Sequence, residues 1–311
     1  MRSLVVVNHK ATTTSPRTLD VMLAALRHDL KMDVAETQHR GHAASLARAA
    51  REDGADLVVA VGGDGTVNEV VNGLLDDKGA AAGSPVPGLA IVPGGSTNVF
   101  ARNLGLPADP VEATGQLLGA VREGRRRPIG LGRLDERWFT FCAGVGFDAD
   151  VVRAVEEQRA RGRRSTVPLY ARTALRRYFA QPHRWRGGTI TLERGFVPAV
   201  PNIAIAVITN SAPWTYLGRR AVNPSPDATF DRGLDVFALT SLGTFRTLRR
   251  LAEITLTNRG AQGANVVSLH DQSELTFRSD EHFPIQVDGD YVGERSVVKL
   301  RSVPSAIDII C

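Results

Sequence analysis

Along the first 125 residues the apolar positions switch repeatedly between two periods. Compact runs of Val, Ile, Leu and Ala at 3–8, 32–37, 56–63 and 88–95 read as strands. Between them apolar residues recur every three or four positions, as in 17–31, where Leu19, Met22, Leu23, Leu26 and Leu30 share one face. Further helices are predicted over 42–54, 66–75, 96–105 and 109–124, the last opened by Asp109-Pro110 and closed by Gly124. Strand alternating with helix predicts a parallel sheet covered on both faces. After 125–130 the rhythm changes. Strands follow at 129–134, 137–143, 188–193, 202–209, 233–239, 264–269, 273–278, 284–288 and 296–301, interrupted by helical insertions near 147–180 and 243–258. The expected organisation is an α/β N-terminal domain with a parallel sheet over 1–128, then a mainly antiparallel β-sandwich over 129–302. A last strand near 306–311 returns to the first domain.

Composition narrows this picture modestly. The 311 residues are 43% hydrophobic and 23% charged, as in ordinary globular proteins. No apolar run approaches the roughly 20 residues that span a bilayer. The N-terminal apolar stretch is shorter than a signal peptide's core. Only two cysteines occur, Cys142 and Cys311, without metal-ligand spacing, which fits a reducing cytoplasm. The net charge of +5 favours acidic partners such as nucleotides or anionic lipid surfaces. Nucleic acid is not an expected partner, because no nucleic-acid module accompanies the basic residues. Residues 153–186 hold ten arginines and two acids, Glu156 and Glu157. Within them Leu169, Tyr170, Leu175, Tyr178, Phe179 and Trp185 are interleaved with Arg172, Arg176, Arg177, Arg184 and Arg186. One reading is a segment lying on an anionic membrane; the other is a basic surface helix with its aromatics in the core.

Two strands end in glycine turns, Gly62-Gly63-Asp64-Gly65-Thr66 and Pro93-Gly94-Gly95-Ser96-Thr97, and each feeds a helix. The glycines are expected to use positive φ and to let a ligand approach the backbone. The first amides of each following helix face that ligand, and Thr66, Ser96, Thr97, Asn68 and Asn98 add side-chain donors. Such a crevice suits a polyphosphate. It is neither a Walker A loop nor a dinucleotide fingerprint. Asp64 then needs an explanation beside phosphates. It links Mg2+ to phosphate oxygens, or accepts a proton from a hydroxyl nucleophile, or holds the turn through backbone hydrogen bonds. The first two readings point to phosphoryl transfer.

"GGDGTVNEVVNGL" resembles the signature of the diacylglycerol kinase catalytic-domain family, which includes sphingosine kinases and bacterial lipid kinases and, more remotely, NAD kinases. "PGGSTNVFARNLGLP" (93–107), "AGVGFDADVV" (143–152) and "VDGD" (287–290) resemble further family segments in the same order. The resemblance implies an ATP-dependent lipid kinase that binds ATP and Mg2+ between its two domains. Nucleotide contacts would come from Asn8, Thr37, Gly62, Gly63, Asp64, Gly65, Thr66, Asn68, Gly95, Ser96 and Asn98. Asp290 takes the place of the family's general base, with aspartate standing for the usual glutamate. Val99 replaces the aspartate that normally joins Asp64 in a metal network, so Glu69 becomes a candidate helper. Arg232 occupies an acidic place of a structural Mg2+ loop, which leaves Asp231 as the remaining candidate there. Asp148, or Asp150, would face the acceptor hydroxyl. The implied partners are ATP, a diacylglycerol-like lipid and an inner membrane surface met peripherally; the sheet edge of the second domain also offers a route to a homodimer. Two alternatives stay open: an NAD kinase-like enzyme, and a nucleotide- or lipid-binding sensor without turnover.

Overall fold

Val5, Val6 and Val7 have almost no solvent exposure, and they form the centre of a parallel sheet. In the computed structural model, described for residues 1–9, 15–75, 85–163, 166–180, 187–218, 220–257 and 260–311, four strands build this sheet. They are β1 (Arg2–Val7), β2 (Lys31–Glu36), β3 (Leu57–Gly62) and β4 (Gly88–Pro93), in the order β4-β3-β1-β2. Five helices accompany them: α1 (Pro16–Asp29), α2 (His42–Glu52), α3 (Asp64–Leu74), α4 (Val99–Asn103) and α5 (Pro110–Glu123). Ser15 and Asp109 cap α1 and α5 through side-chain oxygens that accept first-turn amides. Because side chains alternate across a strand, Val5, Val7, Val59, Val61, Ala90 and Val92 pack toward α1 and α5. Helices α2 and α3 pack together so closely that a Cβ on Gly73 would lie 2.1 Å from the Ala44 carbonyl oxygen.

The chain divides into two compact units, Met1–Leu131 with Ser305–Cys311, and Gly132–Pro304. Strand β5 (Arg127–Leu134) leads from the first into the second. The second unit contains β6 (Arg137–Phe139), β7 (Cys142–Gly146), α6 (Phe147–Ala160), α7 (Val167–Ala180), β8 (Ile190–Arg194), β9 (Val197–Ile203) and β10 (Ile205–Thr209). It continues with β11 (Thr215–Leu217), β12 (Arg220–Val222), β13 (Leu234–Leu239), α8 (Thr244–Leu256), β14 (Val266–Gln272), β15 (Glu274–Val287) and β16 (Asp290–Ile309). Antiparallel pairing in the order β14-β13-β10-β7-β15-β16 encloses a core that includes Phe139, Phe277, Ile285 and Leu300. The end of β16 belongs to the first unit, where Ile309 pairs in parallel with Leu89 and the Ile310 amide donates to the Leu89 carbonyl at 2.9 Å. The parallel N-terminal sheet and antiparallel second part agree with the pattern of apolar positions.

Several elements differ from the sequence reading for identifiable reasons. The strand expected at 137–143 breaks into β6 and β7, because the amides of Thr140, Phe141 and Cys142 all donate to the Asp288 carboxylate. The strands expected at 273–278 and 284–288 are one long strand, β15. Its polar residues Ser279–His282 fall between two registers rather than in a loop. The insertion at 147–180 is two helices, and β9, β11 and β12 were not anticipated.

Candidate active site

In the strand order β4-β3-β1-β2 the chain leaves β1 to one side for β2 and returns to the other side for β3. Parallel sheets collect ligands beyond the carboxyl ends of the strands at such a reversal. Here Asn8 spans it: its backbone N–H donates to Val61 at 3.1 Å, and its Nδ2 donates to Thr66 Oγ1 at 2.9 Å. Thr37 follows β2 and donates its N–H to Val7 at 2.9 Å.

The two glycine turns lie against each other. Gly94 donates its N–H to the Gly62 carbonyl at 2.8 Å. A Cβ on Gly95 would stand 2.7 Å from Gly63 Cα, and one on Gly62 would stand 2.8 Å from Thr66 Oγ1. The glycines are thus needed for close packing. The expectation of positive φ is not met, for none of Gly62, Gly63, Gly65 and Gly95 has one; Gly63 is extended at φ −91°. Gly65 differs from the others, being exposed with nothing within 4 Å of an added Cβ. Its side of the turn is open.

Asp64 links the two turns. Its Oδ2 accepts the Val99 N–H and its Oδ1 accepts the Phe100 N–H, both at 3.0 Å. The carboxylate therefore caps α4, where the positive end of the helix dipole meets its charge. Of the three readings of Asp64, backbone anchoring is the one displayed directly, though it grips the second turn rather than its own. A carboxylate set between two glycine turns is also of the kind that fits Mg2+, an ion commonly held by one or two carboxylates, water and substrate phosphates. Asn98 takes a left-handed conformation, with φ 49°, and folds its amide back on Gly95 in two 2.8 Å hydrogen bonds. One of its side-chain N–H donors is thus engaged within the turn. Glu69 receives the N–H groups of Gly41 and Ala43 at the start of α2, at 2.8 and 3.2 Å, so its carboxylate is anchored there. Asn68 is buried and accepts from Asn72, whereas Ser96 is exposed. The sequence reading missed a stacked pair after β2, where His39 and His42 lie with ring centroids 4.9 Å apart beside exposed Arg40. Its visible signal was the string His39-Arg40-Gly41-His42.

In the second unit the segment 143–152 turns from β7 into α6. Gly146, at φ 75°, makes the turn. Gly144 leaves room for Asp148, whose Oδ2 would lie 2.0 Å from an added Cβ. Asp148 is buried and accepts from Gln286 Nε2 at 2.9 Å. Gln286 in turn accepts the Gly289 N–H through Oε1 at 2.9 Å, so it ties Asp148 to the 288–290 turn. Sequence reasoning did not single out Gln286; its signal is a polar residue inside the buried run Phe283–Val287. Asp150 is a different case, fully buried and held by Arg153 and Arg177. The Asp150 carboxylate is thus committed to this ion-pair cluster. Asp290 is half-buried, with Arg137 Nη2 at 3.7 Å from its Oδ2. Tyr170 of α7 joins this group: burial raises its phenol, Arg159 opposes the rise, and Asp148, Glu156 and Asp290 add to it.

Burial pushes the Asp148 carboxyl up to about 6 from an ordinary 3.8, against the pull of the Gln286 N–H. The native state therefore keeps this proton where the unfolded chain has lost it. Stability from this group is greatest below the ordinary carboxylate value and declines as pH rises through about 6. Between pH 5 and 7 the loss is about 1 kcal/mol at roughly 1.36 kcal/mol per unit. Asp148→Asn should remove that slope, leaving the similarly raised Asp288 in both proteins as a common background. Urea midpoints at pH 5 and 7 measure it; parallel changes in wild type and variant would refute the assignment.

At the loop where the resemblance suggested a structural cation, Arg232 Nη1 lies 3.2 Å from His270 Nε2, and His270 Nδ1 lies 2.9 Å from Asp235 Oδ2. Arg232, next to Asp231 in the chain, thus engages His270 and offers no ligand to a cation, so this donor set does not fit the metal loop. Among the described residues no cluster of three or more His, Cys, Asp or Glu side chains is placed to hold a metal. Cys142 is buried and its thiol is pushed well up by desolvation; both cysteines are free.

The profile of the diacylglycerol kinase catalytic domain matches residues 2–134. A lipid kinase described as YegS-like from Chromohalobacter salexigens is 41% identical over 118 residues, which span 38% of this chain and 35% of that protein. A diacylglycerol kinase from Bacillus subtilis is 42% identical over 93 residues, 29% of this chain and 27% of that protein. The matched stretches thus span well under half the length of these relatives. Likeness of fold extends further: a Bacillus anthracis crystal structure assigned as a diacylglycerol kinase superimposes with a TM-score of 0.76 at 19% identity, over 99% of this chain and 97% of that one.

Proposed function

Because residues 2–134 match the model of the diacylglycerol kinase catalytic-domain family, we propose that this chain transfers the γ-phosphoryl group of ATP to a hydroxyl of diacylglycerol or a related lipid. The observation that carries the reading is the pair of glycine turns joined by Asp64 at the sheet's reversal point. Open backbone at Gly65, the first amides of α3 and the exposed Ser96 hydroxyl would hold the triphosphate; Asn8 and Thr66, locked together, shape its floor. Asp64 would meet Mg2+, which when bound neutralises phosphate charge.

On the acceptor side, Asp290 takes the hydroxyl proton as that oxygen bonds to the γ-phosphorus and the bond to the β–γ bridging oxygen breaks, releasing ADP. Asp148 and Tyr170 orient the head group. Helix α7 offers a lipid-facing surface, with Leu175 and Phe179 exposed beside exposed Arg172 and Arg176. Arg177 and Tyr178, grouped with that surface on sequence, belong elsewhere. The first pairs with buried Asp150, and the second is buried against α8. Arg164, Arg184, Trp185 and Arg186 lie outside the described residues. No described helix is long and apolar enough to cross a membrane.

Radiolabelled ATP offered with dioleoylglycerol in mixed micelles should label the lipid fraction. ATP binding without labelled lipid would instead support a sensor, and label in NADP, with NAD as acceptor, an NAD kinase.

A further inference from the structure

Helix α8 is amphipathic in the reverse sense. At 100° per residue, the side facing the unit carries Arg250 and Ile254, both buried. Arg250 holds Glu253 at 2.6 Å and lies so close to Gly263 that a Cβ there would be 2.1 Å from Nη2. The opposite side presents Phe245 (82% exposed), Leu248 (58%), Leu251 (48%) and Leu256 (65%) to solvent. Four large apolar side chains on one exposed helix face form a patch of the kind that marks an interaction site.

Charge decides the occupant. Arg246 and Arg249 are exposed along the rim of this face, and the one acid of the helix, Glu253, is already paired with Arg249 and Arg250. A surface that is apolar in the middle and cationic at its edge complements a bilayer bearing anionic head groups. Helix α7 extends the same chemistry. Tyr178 Oη donates to the Leu242 carbonyl at 2.6 Å and lies 2.9 Å from Thr244 Oγ1. This joint puts exposed Phe179 and exposed Phe245 each one residue from the contact.

We propose that α8 is a membrane-docking helix, which lays its outward apolar face into the head-group region of an anionic bilayer. The inference deepens the lipid-kinase reading by naming how the enzyme reaches its acceptor, and it rests on that reading for its purpose only.

Flotation of the full chain with phosphatidylglycerol–phosphatidylcholine vesicles tests it. Phe245→Asp combined with Leu248→Asp should weaken partition at least about tenfold, and Arg246→Glu combined with Arg249→Glu should weaken it on anionic but not on neutral vesicles. Both pairs are exposed, so unchanged melting and unchanged turnover on detergent-dispersed diacylglycerol are expected. Wild-type flotation by the Phe245/Leu248 variant would overturn the proposal. So would a wild-type dimer in gel filtration that this variant dissolves, because a second copy would then cover the face. Lost flotation with no turnover by any form, wild type included, leaves the docking helix standing and removes the kinase reading instead.

Discussion

Replacing Asp64 with asparagine is expected to lower phosphoryl transfer by about 10²–10³-fold, the scale for removing one pre-organised electrostatic group. The side chain keeps its shape, but one of its two oxygens becomes an NH2 facing an amide donor. Either Val99 or Phe100, now each at 3.0 Å from a carboxylate oxygen, then meets a donor instead of an acceptor. The N-terminal turn of α4 loses its counter-charge, and the two glycine turns lose one of the bonds that join them while the Gly94–Gly62 bond remains. Any metal held by the same carboxylate loses its anionic ligand as well. Stability should fall less, by about 1–3 kcal/mol, the range for one unsatisfied buried group. Initial rates with ATP and micellar diacylglycerol, set beside urea denaturation, separate the two effects. Wild-type turnover by the variant would remove Asp64 from the proposed chemistry.

The largest loss of stability is expected from Asp288→Ala. The buried Asp288 carboxylate accepts four hydrogen bonds: Thr140 N–H at 2.7 Å, Thr140 Oγ1 at 2.8 Å, Phe141 N–H at 3.1 Å and Cys142 N–H at 3.0 Å. Burial raises its carboxyl while these donors pull it down. Alanine would leave the donors without an acceptor in a dry site, and it is poorly suited to the backbone there, at φ 48°. A loss of about 3–5 kcal/mol follows, since the separate penalties of about 1–3 kcal/mol do not add fully. For a unit of this size that is a fall in melting temperature of roughly 10 °C. Asp288→Asn keeps the shape and tolerates the left-handed backbone, so it should cost less than half as much. Calorimetry of both variants checks the order. An alanine variant that melts with wild type would mean that the four donors find water instead. The same anchor positions Asp290 two residues on, so the alanine variant should also lose turnover at temperatures where it remains folded.

Much of this was legible in the chain because it is written in local patterns. The unbroken apolar run from Leu57 to Val61 and the cap signals at Ser15 and Asp109-Pro110 depend on nearby residues alone. So does the glycine string 62–66, whose resemblance to a kinase family extends to a profile match over 2–134. Long-range contacts were less legible. Nothing beside Asp288 announces Thr140, which lies 148 positions away, and Gln286 looks like an ordinary strand residue until Asp148 is seen against it across 138 positions. Arg177 and Arg172 are alike in sequence, yet one pairs with Asp150 and the other is exposed.

The order of residues was enough to specify most of the element types and the change from parallel to antiparallel pairing, since periodicity and capping act over a few residues. Which carboxylate does what emerged only in the folded chain: Asp64 bridges two turns, Asp150 and Asp288 are structural anchors, and Asp148 stays buried with a raised carboxyl. The physical reason is that a carboxylate's role follows from its desolvation and from the donors aimed at it, and those donors come from distant parts of the chain.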